Sequence, residues 1–330
     1  MNLNTDNTMI RKSPFTVLLV LTGLLLMTSC YDHKELVYSG PADVTVRFDW
    51  SAAPDASPAS MRVVAFAEGA QPVTFPLPGA EGGSIVLPSS VYHFVSYNSD
   101  NENVYGDGDT WDSYRISAKT TKMASASAMF ASTRDVPRAR GTSDQPVVME
   151  PGHVWASSLS SQVLSATRDN TLLFAMQPAT HIYHISISNV QNVNYVDGAA
   201  MTISGVSGGY VPASGLCTDS YCTVPFECTI DRETGTLSGT VLLFGHCEYG
   251  MQSDHMLVVY VAMKDGTKWY YTFNITASMH DENHITDGGT GRTEIPIRID
   301  DLPLPDPITN GSGLHPEVGE WQEIVVPIPL

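Results

Sequence analysis

Basic side chains are few: 17 Lys and Arg stand against 35 Asp and Glu, for a net charge of -18. So acidic a surface repels nucleic acid and anionic lipid over most of its area, which argues against nucleic-acid partners. Helical periodicity is nearly absent from the chain, which excludes a helical bundle. After residue 27 no apolar run approaches the roughly 20 residues that a membrane-spanning helix needs. Catalytic patterns are scarce as well. Neither H-E-x-x-H nor a P-loop string occurs, and the carboxylates and histidines form no pair of informative spacing. His246 beside Cys247 is the nearest approach to a nucleophile couple, but neighbouring residues on a strand point to opposite faces. The chain is therefore read as non-enzymatic, with no catalytic residue, no metal site and no cofactor.

Cysteine is also scarce, five in 330 residues, and its placement is informative. Cys30 stands alone near the start. Arg11 and Lys12 precede Phe15 to Met27, thirteen residues without charge, and Met27-Thr28-Ser29 lead directly into Cys30. A short positive region, an apolar run of this length and small residues before the cut make a secretory leader. The cysteine at its end resembles a bacterial lipobox, with Met27 where Leu is usual, so Cys30 is the expected lipidation site. One acyl chain holds a protein only marginally, whereas two or three hold it durably. Asp32, His33, Lys34 and Glu35 follow at once. The other four, Cys217, Cys222, Cys228 and Cys247, fall in one late stretch. Disulfides among them and free thiols are both open readings. A zinc site fits poorly, because eighteen residues separate Cys228 from Cys247.

Short alternating runs dominate what remains, divided by Gly, Pro, Asn, Asp and Ser. "ADVTVRFDW" puts Val44, Val46, Phe48 and Trp50 on one face. "MRVVAFA", "GSIVLPSSVYHFVSYN", "TLSGTVLLFG" and "RTEIPIRID" read as further strands, and in "HIYHISISNV" Tyr183, Ile185 and Ile187 form the core side with His184 outward. Lys264-Asp265-Gly266-Thr267 joins two apolar strands as a hairpin. This recurrent period of two argues for β-sandwiches. Residues 98–112 are rich in Asp, but Trp111 and Asp112 stand where a calcium loop needs an acidic residue and glycine, so a solvated turn is expected. Residues 117–145, rich in Ala, Ser and Thr, read as an exposed loop open to proteolysis, with a short helix over Met123 to Phe130. The end, "EWQEIVVPIPL", reads as an edge strand, since proline is confined to edges and strand ends.

Together, "LLLMTSCYDHKEL", "ADVTVRFDW", "LLFAMQPATHIYHISISNVQNV", "AMTISGVSGGY" and "WQEIVVPIPL" resemble the fimbrillin-like lipoproteins of Bacteroidetes, and more narrowly the Mfa2/FimB-like fimbrial anchor and accessory group. The resemblance implies an all-β fold of two tandem transthyretin-like β-sandwich domains. Residues 1–29 would be the signal peptide, 30–40 a lipidated tether, 41–165 the N-terminal domain and 166–330 the C-terminal domain. It implies an anchor or accessory subunit of a type V fimbria on the outer membrane, whose partners are fimbrial subunits joined by strand addition. In stalk subunits of such fimbriae an arginine-specific protease removes the first strand. Arg47 and Arg62 are candidates by position, but Arg47 lies inside an alternating strand. That favours an uncleaved anchor, with residues 321–330 paired within the chain and the accepting surface near Val44 to Trp50. The alternative is a surface module binding a glycan or host ligand, for which Trp111, Trp155, Trp269, Trp321, Tyr270 and Tyr271 would supply the stacking platform.

Overall fold

The computed structural model describes residues 40–126, 130, 135–246, 254–281, 285–286, 293–306 and 321–325. Nearly all of the regular structure is strand. The first half carries β1 (Pro41–Asp49), β2 (Ser60–Phe66), β3 (Val73–Pro78), β4 (Gly82–Pro88), β5 (Val91–Asn98), β6 (Val104–Asp107), β7 (Arg115–Ala118), β8 (Trp155–Val163), β9 (Asn170–Ala175) and β10 (Gln177–Pro178). The second carries β11 (His181–Val190), β12 (Val196–Ser207), β13 (Gly209–Val211), β14 (Leu216–Cys217), β15 (Tyr221–Glu227), β16 (Thr229–Asp231), β17 (Thr236–Leu243), β18 (Met256–Met263), β19 (Lys268–Asn274), β20 (Ile285–Thr286), β21 (Thr293–Leu302) and β22 (Gln322–Val325). Single helical turns occur at Met123–Ala126 and Thr276–Met279. Among the described residues no helix is long and apolar enough to cross a membrane.

Two sandwiches result. In the first, the sheet β4-β1-β9 faces the sheet β10-β8-β5-β2-β3. Val44, Val46, Ile85, Leu172 and Phe174 pack there against Met61, Val63 and Phe94. In the second, β16-β17-β11-β21-β20 faces β15-β12-β18-β19-β22. Tyr183, Ile185 and Ile187 point into that core while His184 and Ser186 are exposed, as the alternation requires. The division expected near residue 165 falls short of β9, which pairs with β1, and of β10, which pairs with β8. Both strands therefore complete the first sandwich.

Some strands are buried on successive residues, and the reason is that both of their faces are covered. On β2, Val63 and Ala65 face the first core while Val64 and Phe66 join the cluster that runs into the second. On β5, Phe94 faces one way and Val95 and Tyr97 the other. The four-stranded sheet β14-β13-β7-β6 draws on both halves of the chain, with Tyr210 opposite Ile116. Tyr97 and Tyr114 meet beneath it, their hydroxyls 3.3 Å apart. An added Cβ at Gly106 would strike both hydroxyls, so glycine is required for this close approach.

The Asp-Gly hairpin forms as expected. Gly266 takes φ +87, and the Asp265 carboxylate accepts from the Thr267 backbone N–H at 2.9 Å and its hydroxyl at 2.7 Å, closing the turn between β18 and β19. The segment after β7 differs from the expected exposed loop. Phe130 is fully buried, with Ala139, against Ala200, Val258 and Tyr260 on the outer face of the second sandwich. Short polar residues conceal such anchors in the sequence, because only the finished sheet shows that β12 and β18 present a second apolar face.

Candidate functional site

An unpaired strand edge offers a row of backbone donors and acceptors to any chain that can lie beside it. The first strand is not such an edge. β1 lies between β4 and β9, antiparallel to one and parallel to the other, so both sides of its backbone are engaged. Its alternation buries Ala42, Val44 and Val46 and exposes Asp43, Thr45 and Arg47. Gly82 takes φ +103 where β4 begins against Arg47, and a Cβ there would strike the Val46 carbonyl. Arg47 is thus inside a paired ladder. Arg62 is inside another, on β2, and its guanidinium donates to the Tyr97 hydroxyl at 2.9 Å. Neither sits in a loop.

Among the described residues the edges of this sheet are β4 and β9. Asn170 pins the start of β9: its amide N–H₂ donates to the carbonyls of Asp43 (3.0 Å), Ser165 (2.9 Å) and Arg168 (3.0 Å), and its amide oxygen accepts from Ser165 N–H at 3.0 Å. β9 carries neither charge nor proline, the usual guards of an edge. Leu173 on β9 and Val86 on β4 are each 55% exposed on the outer face of the sheet. Beside β9, Val163, Leu164, Arg168, Asp169, Asn170 and Leu172 line a cleft of about 310 Å³. At the other end of the chain, Trp269, Tyr270, Tyr271 and Thr272 of β19 pair in parallel with Gln322 to Val325, so the described part of the last segment is an edge strand of its own chain.

Cys30 and Cys247 lie outside the described residues. No disulfide joins two of Cys217, Cys222 and Cys228. The Cys217 thiol donates to the Phe244 carbonyl at 2.8 Å. Burial pushes the Cys222 and Cys228 thiols up to about 12, and the thiolate is the reactive form. Native protein at pH 8 is therefore expected to leave both unalkylated by iodoacetamide. Denaturation alone, without reductant, should expose both to the reagent, as mass mapping of the two peptides would report. A requirement for reductant would mean that they are paired.

Gly205-Val206-Ser207-Gly208-Gly209 spells G-x-S-x-G, the string of a nucleophile elbow. That elbow needs a strand-to-helix turn with an exposed hydroxyl. Here Ser207 is buried at the end of β12, donates to the carbonyls of Gly209 and Thr218, both at 2.8 Å, and is followed by β13. In the Asp-rich loop, Asp107 pairs with Arg115 at 3.2 Å, and Asp100 accepts from Asn98 and from Ala59 N–H.

Two further features involve rings. Trp111 lies 4.9 Å from His93, centroid to centroid, and donates its indole N–H to the Phe94 carbonyl. The pair borders a groove with Glu68, Gln71, Asp109 and Asp112. Trp155 and Tyr271 are buried, and Trp321 packs on Tyr260, so these do not form a platform. At the end of the second sandwich His246, His255 and His280 converge. His255 Nε2 and His280 Nε2 stand 2.9 Å apart. Burial and the two neighbouring rings hold His255 down to about 4, so its imidazole is neutral at pH 7. The sequence signal for this cluster is nil, since the three residues come from three loops.

A family model described as a domain of unknown function (DUF5119) matches residues 29–227. No curated protein matches the chain. Among solved structures, a candidate adhesin from Bacteroides ovatus aligns with TM-score 0.57 at 15% identity, covering 81% of this chain and 95% of that one. The fimbrial anchor protein Mfa2 from Porphyromonas gingivalis aligns with TM-score 0.48 at 12% identity over 79% and 91%. A candidate polysaccharide-binding protein from Bacteroides thetaiotaomicron aligns with TM-score 0.49 at 11% identity over 78% and 90%.

Proposed function

We propose, for a chain that belongs to the DUF5119 family, the role of an outer-membrane lipoprotein that anchors or accompanies a type V fimbria. Lipid on Cys30 would hold it to the membrane, and a fimbrial subunit would join it by strand addition. The observation that carries this reading is the inner position of β1. A stalk subunit must give up its first strand to receive a neighbour's. In this chain the first strand fills its own groove, and the two arginines near it lie within paired strands. Residues 31–40 lead from the lipidation site straight into β1.

β9 is the proposed acceptor. Among the described residues it is an edge, it carries no charge and exposes Leu173, and strand addition draws affinity from main-chain bonds and specificity from alternate side chains. We place the division between the two transthyretin-like sandwiches between Pro178 and His181, so that β9 belongs to the lipid-proximal one. The second reading is a glycan-binding module, and the Trp111–His93 groove is the feature that favours it.

The test is purification from the native membrane, followed by cross-linking and mass spectrometry. The expected result is a mature terminus at a diacylated Cys30, and cross-links from the β9 region to a β-rich pilin subunit. A Cys30→Ala variant should leave the membrane fraction. A protein without a pilin partner that is retained on a glycan column, and loses that retention with Trp111→Ala, would establish the glycan-binding reading instead.

A further inference from the structure

We propose, resting on the glycan-binding reading, that the Trp111–His93 groove continues past Asp112 into a second groove, and that the two together hold a linear, uncharged oligosaccharide. The second groove, of about 590 Å³, lies on the outer face of the sheet β14-β13-β7-β6. Asp112 lines both this groove and the Trp111–His93 groove of about 800 Å³. Each has an aromatic side chain in its wall, Trp111 in the first and Tyr105, 45% exposed, in the second.

The register of the sheet builds the floor of the second groove. Gly106 pairs with Ile116, and both face the buried Tyr97 and Tyr114. Side chains alternate along a strand, so Tyr105 and Ser117 face outward. Tyr105 stands opposite Ser117, and Ser117 opposite Gly209. Thr218, just past β14, donates its N–H to the Gly209 carbonyl at 2.9 Å. One row thus crosses the sheet from β6 to the end of β14, roughly 14 Å at ~4.8 Å between strands. A Cβ on Gly209 would stand 2.7 Å from the Ile116 carbonyl, so the middle of the row is bare backbone and the floor is flat. Tyr105 flanks one end. The Thr218 and Ser220 hydroxyls, 2.8 Å apart, flank the other.

The row is no place for an added strand. β7 and β13 are inner strands, paired on both sides, so the row offers no line of free main-chain groups. A saccharide needs none. Its ring lays an apolar C–H face on an aromatic side chain, and its hydroxyls exchange hydrogen bonds with hydroxyls and carboxylates. Ser117, Thr218 and Ser220 can donate and accept, and Asp112 and Asp219 accept. The Thr110 hydroxyl beside Asp112 holds that carboxyl below the usual carboxylate range, which keeps it an acceptor. Charge narrows the class further. Glu68, Asp109, Asp112 and Asp219 line the two grooves, and Arg115 is the one Lys or Arg among the described residues that line them. Its guanidinium is already matched by Asp107, at 3.2 Å. A uronic-acid or sulfated chain would meet like charge here. Two rings on one continuous surface also favour a chain held along its length over a single terminal sugar.

The test applies the full-length chain in detergent to an array of linear glucans, mannans and xylans, with oligogalacturonates as the anionic counterpart. Calorimetry on a length series of the best-bound chain follows. Neutral chains should bind and oligogalacturonates should not. Affinity should rise with chain length and level off once a chain reaches both rings. Trp111→Ala and Tyr105→Ala should each weaken binding of the long chain by on the order of tenfold or more. Tyr105→Phe, which keeps the ring, should retain it. Tyr105 is a surface residue on an edge strand, so its variants report on the groove rather than on folding. Loss of binding with Trp111→Ala but none with Tyr105→Ala would overturn the joined groove and leave the glycan-binding reading standing. Short chains bound as tightly as long ones, or a preference for oligogalacturonates, would overturn it as well. Binding to no glycan would remove both the proposal and the reading beneath it.

Discussion

Deletion of residues 41–49 is expected to unfold the first sandwich, and a synthetic peptide with the sequence of Ala42–Trp50 is expected to restore it when added in trans. β1 is the inner strand of a three-stranded sheet, so its loss leaves β4 and β9 without their partner. Ile85, Leu87, Leu172 and Phe174 lose the side chains of Ala42, Val44 and Val46 that cover them. Each buried valine contributes about 1.5–3 kcal/mol, and each backbone hydrogen bond about 0.5–1.5 kcal/mol net. Their sum rivals the ~5–15 kcal/mol that holds a whole domain. The groove itself is specific, because alternate residues of the strand enter it. A peptide carrying Val44→Asp and Val46→Asp should therefore fail. Thermal melting followed by circular dichroism, with native mass spectrometry for a one-to-one complex, would read the result. A truncated chain that melts like the intact one, or equal rescue by the Asp peptide, would show that the groove is not a strand acceptor.

The second large effect is expected from Phe130→Ala, with a loss of about 3–5 kcal/mol, the usual cost of emptying a buried phenylalanine site. The Phe130 ring stands edge-on to Tyr260 at 4.9 Å, and Tyr260 is also edge-on to Trp321 at 5.4 Å. Tyr260 donates its hydroxyl to the Pro137 carbonyl at 2.6 Å. Next to it, Arg138 donates to the carbonyls of Ser143 at 3.0 Å and Gln145 at 2.8 Å, and to the Thr223 hydroxyl. Val148 N–H donates to the Thr223 carbonyl, and Thr223 N–H to the Pro146 carbonyl, so the segment also pairs with the edge of β15. Removing the anchor ring should loosen this cover and speed tryptic cleavage after Arg138 and Arg140. Urea unfolding measures the first effect, and timed digestion with mass spectrometry the second. A variant within about 1 kcal/mol of the parent, with unchanged cleavage, would mean that the cover is held without Phe130.

The contrast between β1 and this cover shows how far the sequence reaches. "ADVTVRFDW" announces its strand and its buried face, because a period of two is a local property of the backbone. The same holds for Tyr183, Ile185 and Ile187 of β11 and for the Asp265-Gly266 turn, whose geometry is set within four residues. Alternation cannot say which strands lie side by side, since register and sheet order depend on pairing between distant segments. Only the tertiary structure placed β1 between β4 and β9, carried the first sandwich past residue 165 to β10, and left β9 as an edge among the described residues. It alone showed why β2, β5 and β18 are apolar on successive residues: each is covered on both faces, and the second cover is supplied by a remote part of the chain. For the same reason His246, His255 and His280 carry no mark in the sequence. Their meeting is decided by three loops that reach one point once the second sandwich has formed.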